Sequence, residues 1–122
     1  MDIINPATGK KYALLASGDE ADVKLAYNAA NNAAEGWAMT PLATRQSILQ
    51  KIASIIEERT DELAEAEMLD TGKPISLARR LDIPRAASNF AFFAAAASQL
   101  ASESHYMPGQ ALNYTVRQPI GV

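Results

Sequence analysis

The sequence has no cysteine and only one histidine among its 122 residues. The first absence excludes disulfides, a thiolate nucleophile and Cys-ligated zinc within this chain. The second excludes a paired-histidine metal motif and leaves His105 as the only candidate for a triad that uses histidine. The 11 Lys and Arg against 14 Asp and Glu give a formal net charge of −3. We therefore expect no binding to nucleic acid, which requires clustered basic residues.

Long apolar runs are also missing. The most apolar stretch, residues 90–100, is dominated by alanine and is too short to cross a bilayer of ~30 Å as a helix. The residues after Met1 contain neither the basic region nor the apolar region of a signal peptide. We therefore expect no membrane contact and a cytoplasmic location.

The signature motifs of several nucleotide-binding, hydrolytic and metal sites are absent. The chain has no Walker loop, Gly-x-Gly-x-x-Gly, His-Glu-x-x-His, Gly-x-Ser-x-Gly or EF-hand loop. Gly72-Lys73 is compatible with a phosphate-binding turn, but it lacks the upstream glycine and follows a helical pattern rather than a strand. A turn that ends a helix is the preferred interpretation.

Helical periodicity dominates the rest of the sequence. A first apolar stripe follows Asp19, a good N-cap, and Gly36 is the expected end of its helix. A second stripe begins with Thr40 as N-cap and Pro41 as first helical residue, and it continues to about Leu69 as one helix or two collinear ones. The stripes consist of Val23, Tyr27, Ala30, Ala34 and Trp37, then Leu42, Leu49, Ile52, Ile56 and Leu63.

A third long helix is expected after a turn at residues 70–74, where Gly72 supplies the helix-ending conformation. A short helical turn over residues 75–81 precedes it. Asp82 is interpreted as the N-cap, because Pro84 is tolerated only in the first turn of a helix. The third stripe consists of Ile83, Ala87, Phe90, Ala94, Ala97 and Leu100.

Strand signals are found at both ends of the chain. Residues 5–10 are of types typical of turns and lie between two short apolar runs, which predicts an N-terminal β-hairpin. Residues 102–109 are predicted to form a loop, and the alternation in residues 111–116 predicts a C-terminal strand. That strand has no evident partner apart from the first hairpin, and complete domains normally cover such an edge. The expected fold is mainly α and stops in mid-fold.

Arg85 is the most informative side chain. It lies in the first turn of the third helix, where its charge opposes the helix dipole. It either pairs with Asp82, three residues earlier, or forms an anion site in which its guanidinium group binds a carboxylate. His105 is interpreted as a surface residue of a loop, and Trp37 as a core residue.

Three acidic residues cluster near the end of the second helical stretch. They are Glu65, Glu67 and Asp70. On a helix they are most simply solvated, but Asp70 stands at the helix end, where it could turn inward. A cation site at this cluster is the alternative.

Several motifs together resemble the N-terminal region of the aldehyde dehydrogenase superfamily, and their order covers essentially the whole chain. The branch acting on 2-hydroxymuconic and 2-aminomuconic semialdehydes is the most similar, on the evidence of residues 82–90. The motifs are Asn5-Pro6-Ala7-Thr8-Gly9, Gly36-Trp37, Thr40-Pro41, Asp70-Thr71-Gly72-Lys73-Pro74, Asn89-Phe90, Phe92-Phe93, and Tyr114-Thr115-Val116-Arg117-Gln118-Pro119-Ile120-Gly121-Val122.

The resemblance implies a larger α/β fold and NAD- or NADP-dependent oxidation of a small-molecule aldehyde to a carboxylic acid. It also implies that residues 1–111 are a helical part of the cofactor-binding domain and that residues 112–122 begin an oligomerisation arm. In this family a cysteine thiolate attacks the aldehyde, and a glutamate activates water. No catalytic or cofactor-binding residue is expected within this chain, which is interpreted as an N-terminal fragment that is inactive alone.

Two binding roles follow from the same resemblance. The counterpart of Arg85 is expected to bind the substrate carboxylate. The counterpart of Asp70, with backbone carbonyls near Ile4, is expected to hold a structural monovalent cation. The exposed helix faces and the C-terminal strand predict a homo-oligomer or self-association. The alternative is a free-standing helical interaction module without catalytic activity.

Overall fold

The computed structural model describes residues 1–122 as a helical layer flanked by two β-hairpins. The strands are β1 (Asp2–Ile4), β2 (Lys11–Leu14), β3 (Ser104–Met107) and β4 (Ala111–Tyr114). The helices are α1 (Glu20–Ala38), α2 (Leu42–Glu58), α3 (Thr60–Thr71), α4 (Ile75–Leu77) and α5 (Ile83–Ala96). A π-helical turn, Ala78–Asp82, joins α4 to α5, and a 3₁₀ turn, Ala97–Gln99, follows α5.

The predicted N-terminal hairpin is confirmed. Strands β1 and β2 are antiparallel, with Ile3 opposite Ala13. The Asn5 side chain accepts hydrogen bonds from the amides of Ala7 and Thr8, at 2.9 and 3.3 Å. These bonds form the turn that the Asn-Pro-Ala-Thr-Gly sequence predicts.

Helix α1 begins as the sequence predicts but ends later. Asp19 and Asp22 form a reciprocal capping box at its start. The expected end at Gly36 is wrong, because the Met39 amide still donates to the Glu35 carbonyl and the helix runs to Ala38. Glycine needs no left-handed conformation there, and its φ is negative.

The boundary between α1 and α2 is shifted by one residue. Pro41, not Thr40, occupies the cap position before Leu42. The Thr40 hydroxyl instead donates to the Gly36 carbonyl at 3.0 Å. The predicted cap is therefore wrong, because this hydroxyl is used by the preceding helix.

The long second helical stretch is divided into two helices. Arg59, with φ −105° and ψ 22°, departs from the helical conformation and separates α2 from α3. The Thr60 hydroxyl donates to the Glu57 carbonyl at 2.8 Å, which uses one of the carbonyls freed at this break. Helix α3 then ends at Gly72, whose φ of 73° confirms the predicted helix-ending turn.

Asp82 is not an N-cap, so that prediction is wrong. Its φ of −68° and ψ of −49° are helical, and its carboxylate makes no capping bond. The chain passes into α5 through the π turn, in which the Ile83 amide donates to the Ala78 carbonyl five residues earlier. This wider turn directly precedes Pro84, which has no amide hydrogen to donate.

The prediction of an unpaired final strand is also wrong. Residues 104–107, expected as a loop, form β3 and pair antiparallel with β4, placing His105 opposite Asn113. Gly109, with φ 69°, occupies the turn between the two strands. The mainly α fold with an N-terminal hairpin is confirmed, and a second hairpin replaces the single C-terminal strand.

The packed interior is small and consists of alanine. Helix α2 lies mainly against α5, whereas α1 packs extensively on no other element. The only buried residues are Ala53, Ala64, Ala78, Ala87 and Ala94. No larger apolar side chain is fully buried, many face outward, and Phe92 and Phe93 are 63% and 62% exposed. No helix is both long and apolar enough to span a membrane.

Candidate functional site

The turn that ends α3 lies directly against the turn of the first hairpin. A Cβ added to Gly72 would lie 2.9 Å from Pro6 Cγ and 3.2 Å from the Ala7 amide nitrogen. Beside this contact the Tyr12 hydroxyl donates to Asp70 Oδ1 at 2.8 Å. Together these contacts fix the β1–β2 hairpin to the C-terminal end of α3.

The Tyr12 pair has an electrostatic consequence. Ionised tyrosine would lose its donated hydrogen bond and face the Asp70 carboxylate. The hydrogen bond to Asp70, with smaller contributions from desolvation and from the carboxylate charge, therefore raises the pKa of Tyr12 above its usual value.

The predicted cluster of carboxylates does not form a common site. Asp70 faces Tyr12, Glu67 binds Lys73, and Glu65 is exposed. No group of three or more acidic or histidine side chains is arranged to hold a metal ion. Ile4 ends the strand next to the one that carries Tyr12, so the structure brings Asp70 to the hairpin of Ile4. The cation role of Ile4 and Asp70 stays a prediction.

Lys73 binds two carboxylates at once. Its Nζ lies 2.7 Å from Glu67 Oε1 and 2.7 Å from Asp82 Oδ2. The hydrogen bond to Asp82, followed by the one to Glu67, raises the pKa of Lys73 above its usual value, because both favour the ammonium form. An ammonium committed to two carboxylates fits the helix-ending interpretation of this turn better than phosphate binding.

Arg85 stands on the exposed surface at the start of α5, and its guanidinium makes no ion pair. The alternative in which it pairs with Asp82 is not what the structure shows, because Asp82 binds Lys73. Its five N–H donors are thus free of protein carboxylates, which is the arrangement an anion-binding arginine needs. The substrate role of Arg85 stays a prediction.

Trp37 is half exposed, at 50%, and the prediction that it is a core residue is wrong. Its stripe has no helix packed over it, so the ring lines an open groove of about 660 Å³ with Leu42, Leu49 and Val116. Arg45 also lines this groove, and its Nε is buried without a hydrogen-bond partner.

His105 lies in β3 rather than in a loop, but it is exposed as expected for a surface residue. Sequence reasoning overlooked Tyr12 and Lys73 as binding partners. Tyr12 is 58 residues from Asp70. The available signal was the presence of two turn sequences, 5–9 and 70–74, although their spacing does not reveal that they touch.

The whole chain, residues 1–122, matches the sequence model of the aldehyde dehydrogenase family. It is 39% identical over 123 residues to the 2-aminomuconic semialdehyde dehydrogenase of Bos taurus, covering 100% of this chain and 25% of that protein. It is 43% identical over 124 residues to the 2-hydroxymuconic semialdehyde dehydrogenase of Pseudomonas sp. (strain CF600), covering 98% of this chain and 26% of that protein.

Solved structures of aldehyde dehydrogenases are also similar to this chain. The chain superimposes on the indole-3-acetaldehyde dehydrogenase AldA of P. syringae, solved as a variant with NAD+ and IAA, with a TM-score of 0.93 and 33% identity. The match covers 99% of this chain and 25% of that chain. The aldehyde dehydrogenase KauB of Pseudomonas aeruginosa gives a TM-score of 0.94 and 32% identity over the same shares.

The helical layer with its two hairpins therefore corresponds to part of the larger fold of these solved aldehyde dehydrogenases. The chain belongs to the aldehyde dehydrogenase family. It spans about a quarter of the length of the curated relatives that it matches.

Proposed function

We propose that this chain forms the N-terminal helical layer of an NAD(P)-dependent aldehyde dehydrogenase that oxidises a carboxylated semialdehyde of the muconic type. The observation that carries the proposal is the family match over residues 1–122, with relatives named for muconic semialdehydes. In this proposal residues 1–111 belong to the cofactor-binding domain, and residues 112–122 begin an oligomerisation arm.

The oxidation needs groups that lie outside these residues. NAD(P), when bound, accepts the hydride, and a thiolate attacks the aldehyde. This chain contains no cysteine and no dinucleotide-binding motif, so its residues do not fit either role. Its proposed contribution is substrate binding, support of the fold and assembly. The proposed location is the cytoplasm, where a reducing environment keeps the catalytic thiol of such an enzyme from forming disulfides.

Arg85 is the proposed substrate-binding residue. It is exposed at the start of a helix whose preceding carboxylate, Asp82, is already bound by Lys73. A guanidinium in this state can form a bidentate, charge-assisted pair with the carboxylate of a semialdehyde.

A hybrid enzyme tests this proposal. Residues 1–122 replace the matching segment of the Pseudomonas 2-hydroxymuconic semialdehyde dehydrogenase, and NADH formation is measured with 2-hydroxymuconic semialdehyde and with a neutral aldehyde. We expect an active hybrid in which Arg85→Ala raises KM for the carboxylated substrate about ten- to hundredfold, from the loss of a charge-assisted pair. The KM for the neutral aldehyde stays unchanged.

Arg80→Ala is the matched control, because Arg80 is also exposed and makes no ion pair. An inactive hybrid would contradict the proposed function, and equal effects of Arg85→Ala on both aldehydes would contradict the role of Arg85. The unextended chain is expected to form no NADH, and turnover by it alone would contradict the need for a cysteine.

The proposed cation site uses Asp70 and the backbone of Ile4. Asp70 Oδ1 accepts the hydrogen bond from the Tyr12 hydroxyl, so Oδ2 remains as the proposed ligand. Thermal unfolding of the hybrid in potassium chloride is compared with unfolding in choline chloride at equal ionic strength. We expect stabilisation by potassium that Asp70→Asn removes and Glu65→Gln retains; equal unfolding temperatures in both salts would refute the site.

The paired β3–β4 hairpin favours the alternative function, an independent interaction module, because it leaves the last strand with a partner. Sedimentation of the 122-residue chain separates the two proposals. The exposed apolar side chains predict self-association. A monomer that unfolds cooperatively would support the module instead.

A further inference from the structure

Asp82 stands between two cations. On one side the Lys73 ammonium lies 2.7 Å from its Oδ2. On the other side Arg85 follows three residues later, a spacing that makes side chains neighbours on a helix. The structure gives the carboxylate to Lys73 and leaves Arg85 without an ion pair.

Local structure makes the Lys73 partnership the stronger one. The side chains of Lys73 and Asp82 are only 27% and 32% exposed, so their pair is less hydrated than one formed with the exposed Arg85. Lys73 also binds Glu67 at 2.7 Å. Its backbone follows Gly72, whose left-handed conformation is enclosed by the hairpin turn at Pro6. Lys73 is thus held from several directions.

We infer that Lys73 is a positioning residue for carboxylate recognition. By holding Asp82, it prevents the internal carboxylate from neutralising Arg85 and leaves that guanidinium open to the carboxylate of the substrate. The inference rests on the proposed function of Arg85. It assigns specificity to a lysine that itself touches no substrate.

The test uses the active hybrid enzyme and Lys73→Met, which keeps an unbranched side chain of nearly the same length but removes its charge. Freed Asp82 then pairs with Arg85 and competes with the substrate. We expect KM for 2-hydroxymuconic semialdehyde to rise about two- to fivefold, the range of an exposed ion pair. The kcat value and the KM for a neutral aldehyde stay unchanged.

The rescue variant identifies the mechanism. Lys73→Met with Asp82→Asn removes the competing carboxylate, so KM returns to the parent value although the Lys73 pair is still absent. A merely structural role of Lys73 would not give this recovery. Lys51→Met serves as the control, because Lys51 is an exposed lysine of α2 without an ion pair.

Asp82→Asn alone provides a second test if Lys73→Met does not fold. We expect the parent KM, since Lys73 already keeps Asp82 away from Arg85. A lowered KM would overturn the inference, as would failure of the double variant to recover. These results leave the proposed function intact if Arg85→Ala still raises KM selectively. Loss of that selectivity refutes the proposed role of Arg85 itself.

Discussion

Replacing Gly72 by alanine tests the contact between the two turns that bring the N-terminal hairpin to α3. Its φ of 73° is left-handed, and the added Cβ would lie 2.9 Å from Pro6 Cγ and 3.2 Å from the Ala7 amide nitrogen. The proline ring can shift slightly, but the Ala7 nitrogen belongs to the backbone of a hydrogen-bonded turn. The substitution therefore forces the hairpin away from α3.

The expected cost has two parts. A non-glycine residue in the left-handed conformation loses about 1–2 kcal/mol, and overpacking against a fixed neighbour costs a further ~1–3 kcal/mol. Gly9→Ala separates these parts, because Gly9 has φ 68° but nothing within 4 Å of its added Cβ. It should lose only the conformational part. Gly36→Ala, in the last turn of α1 with open space around it, should gain at most about 0.5–1 kcal/mol, the range for a helix interior.

Urea unfolding of the three variants, followed by far-UV circular dichroism, gives the order of their free energies of unfolding. We expect Gly72→Ala to be the least stable, followed by Gly9→Ala, the parent chain and Gly36→Ala. Equal losses for Gly72→Ala and Gly9→Ala would refute the packing of the hairpin turn on α3. A destabilised Gly36→Ala would refute the conclusion that α1 continues through Gly36.

Two further variants test individual hydrogen bonds. Gln46→Ala removes the bond from Nε2 to the Ala94 carbonyl, 2.7 Å long and partly buried, and should lower the free energy of unfolding by about 1 kcal/mol; an equal loss in Gln50→Ala, on the exposed side of α2, would contradict this reasoning. Tyr12→Phe tests the bond to Asp70 by alkaline titration of stability. Because the folded state raises the pKa of Tyr12, the bond contributes fully below the ordinary value of about 10 and is lost as the pH rises through the folded value. The variant should lose less stability in that range, and identical pH profiles would argue against the bond.

The elements were more predictable than their ends. Asp19 and Gly72 mark boundaries correctly, because a capping side chain and a left-handed glycine act within one turn of the backbone. Gly36 misleads because glycine also adopts the right-handed helical conformation, and Thr40 misleads because its hydroxyl donates to the preceding helix. Strand β3 was missed because its sequence has no alternation of polar and apolar residues, and it is defined by its pairing with β4.

At the candidate site, sequence spacing does not identify the ion-pair partner of Asp82. Spacing alone predicts that Asp82 is either an N-cap or the ion-pair partner of Arg85. The structure adds Lys73, nine residues earlier in the chain, which the turn after α3 and the π turn bring to the same carboxylate. Which cation binds Asp82 depends on the path of the backbone through these two turns. Hydrophobic periodicity predicts the helices on either side of the turns, but it does not predict the path of the turns.

The composition of the interior explains why this layer needs a neighbour. Alanine side chains let α2 and α5 approach closely, but each buries little apolar area, so the contact stabilises the layer only weakly. The large apolar side chains of the same helices, such as Phe92 and Phe93, point away from that contact. Large exposed apolar patches on a protein surface normally mark contacts with further protein. The solved relatives, of which this chain covers about a quarter, have the additional length with which such faces can be covered.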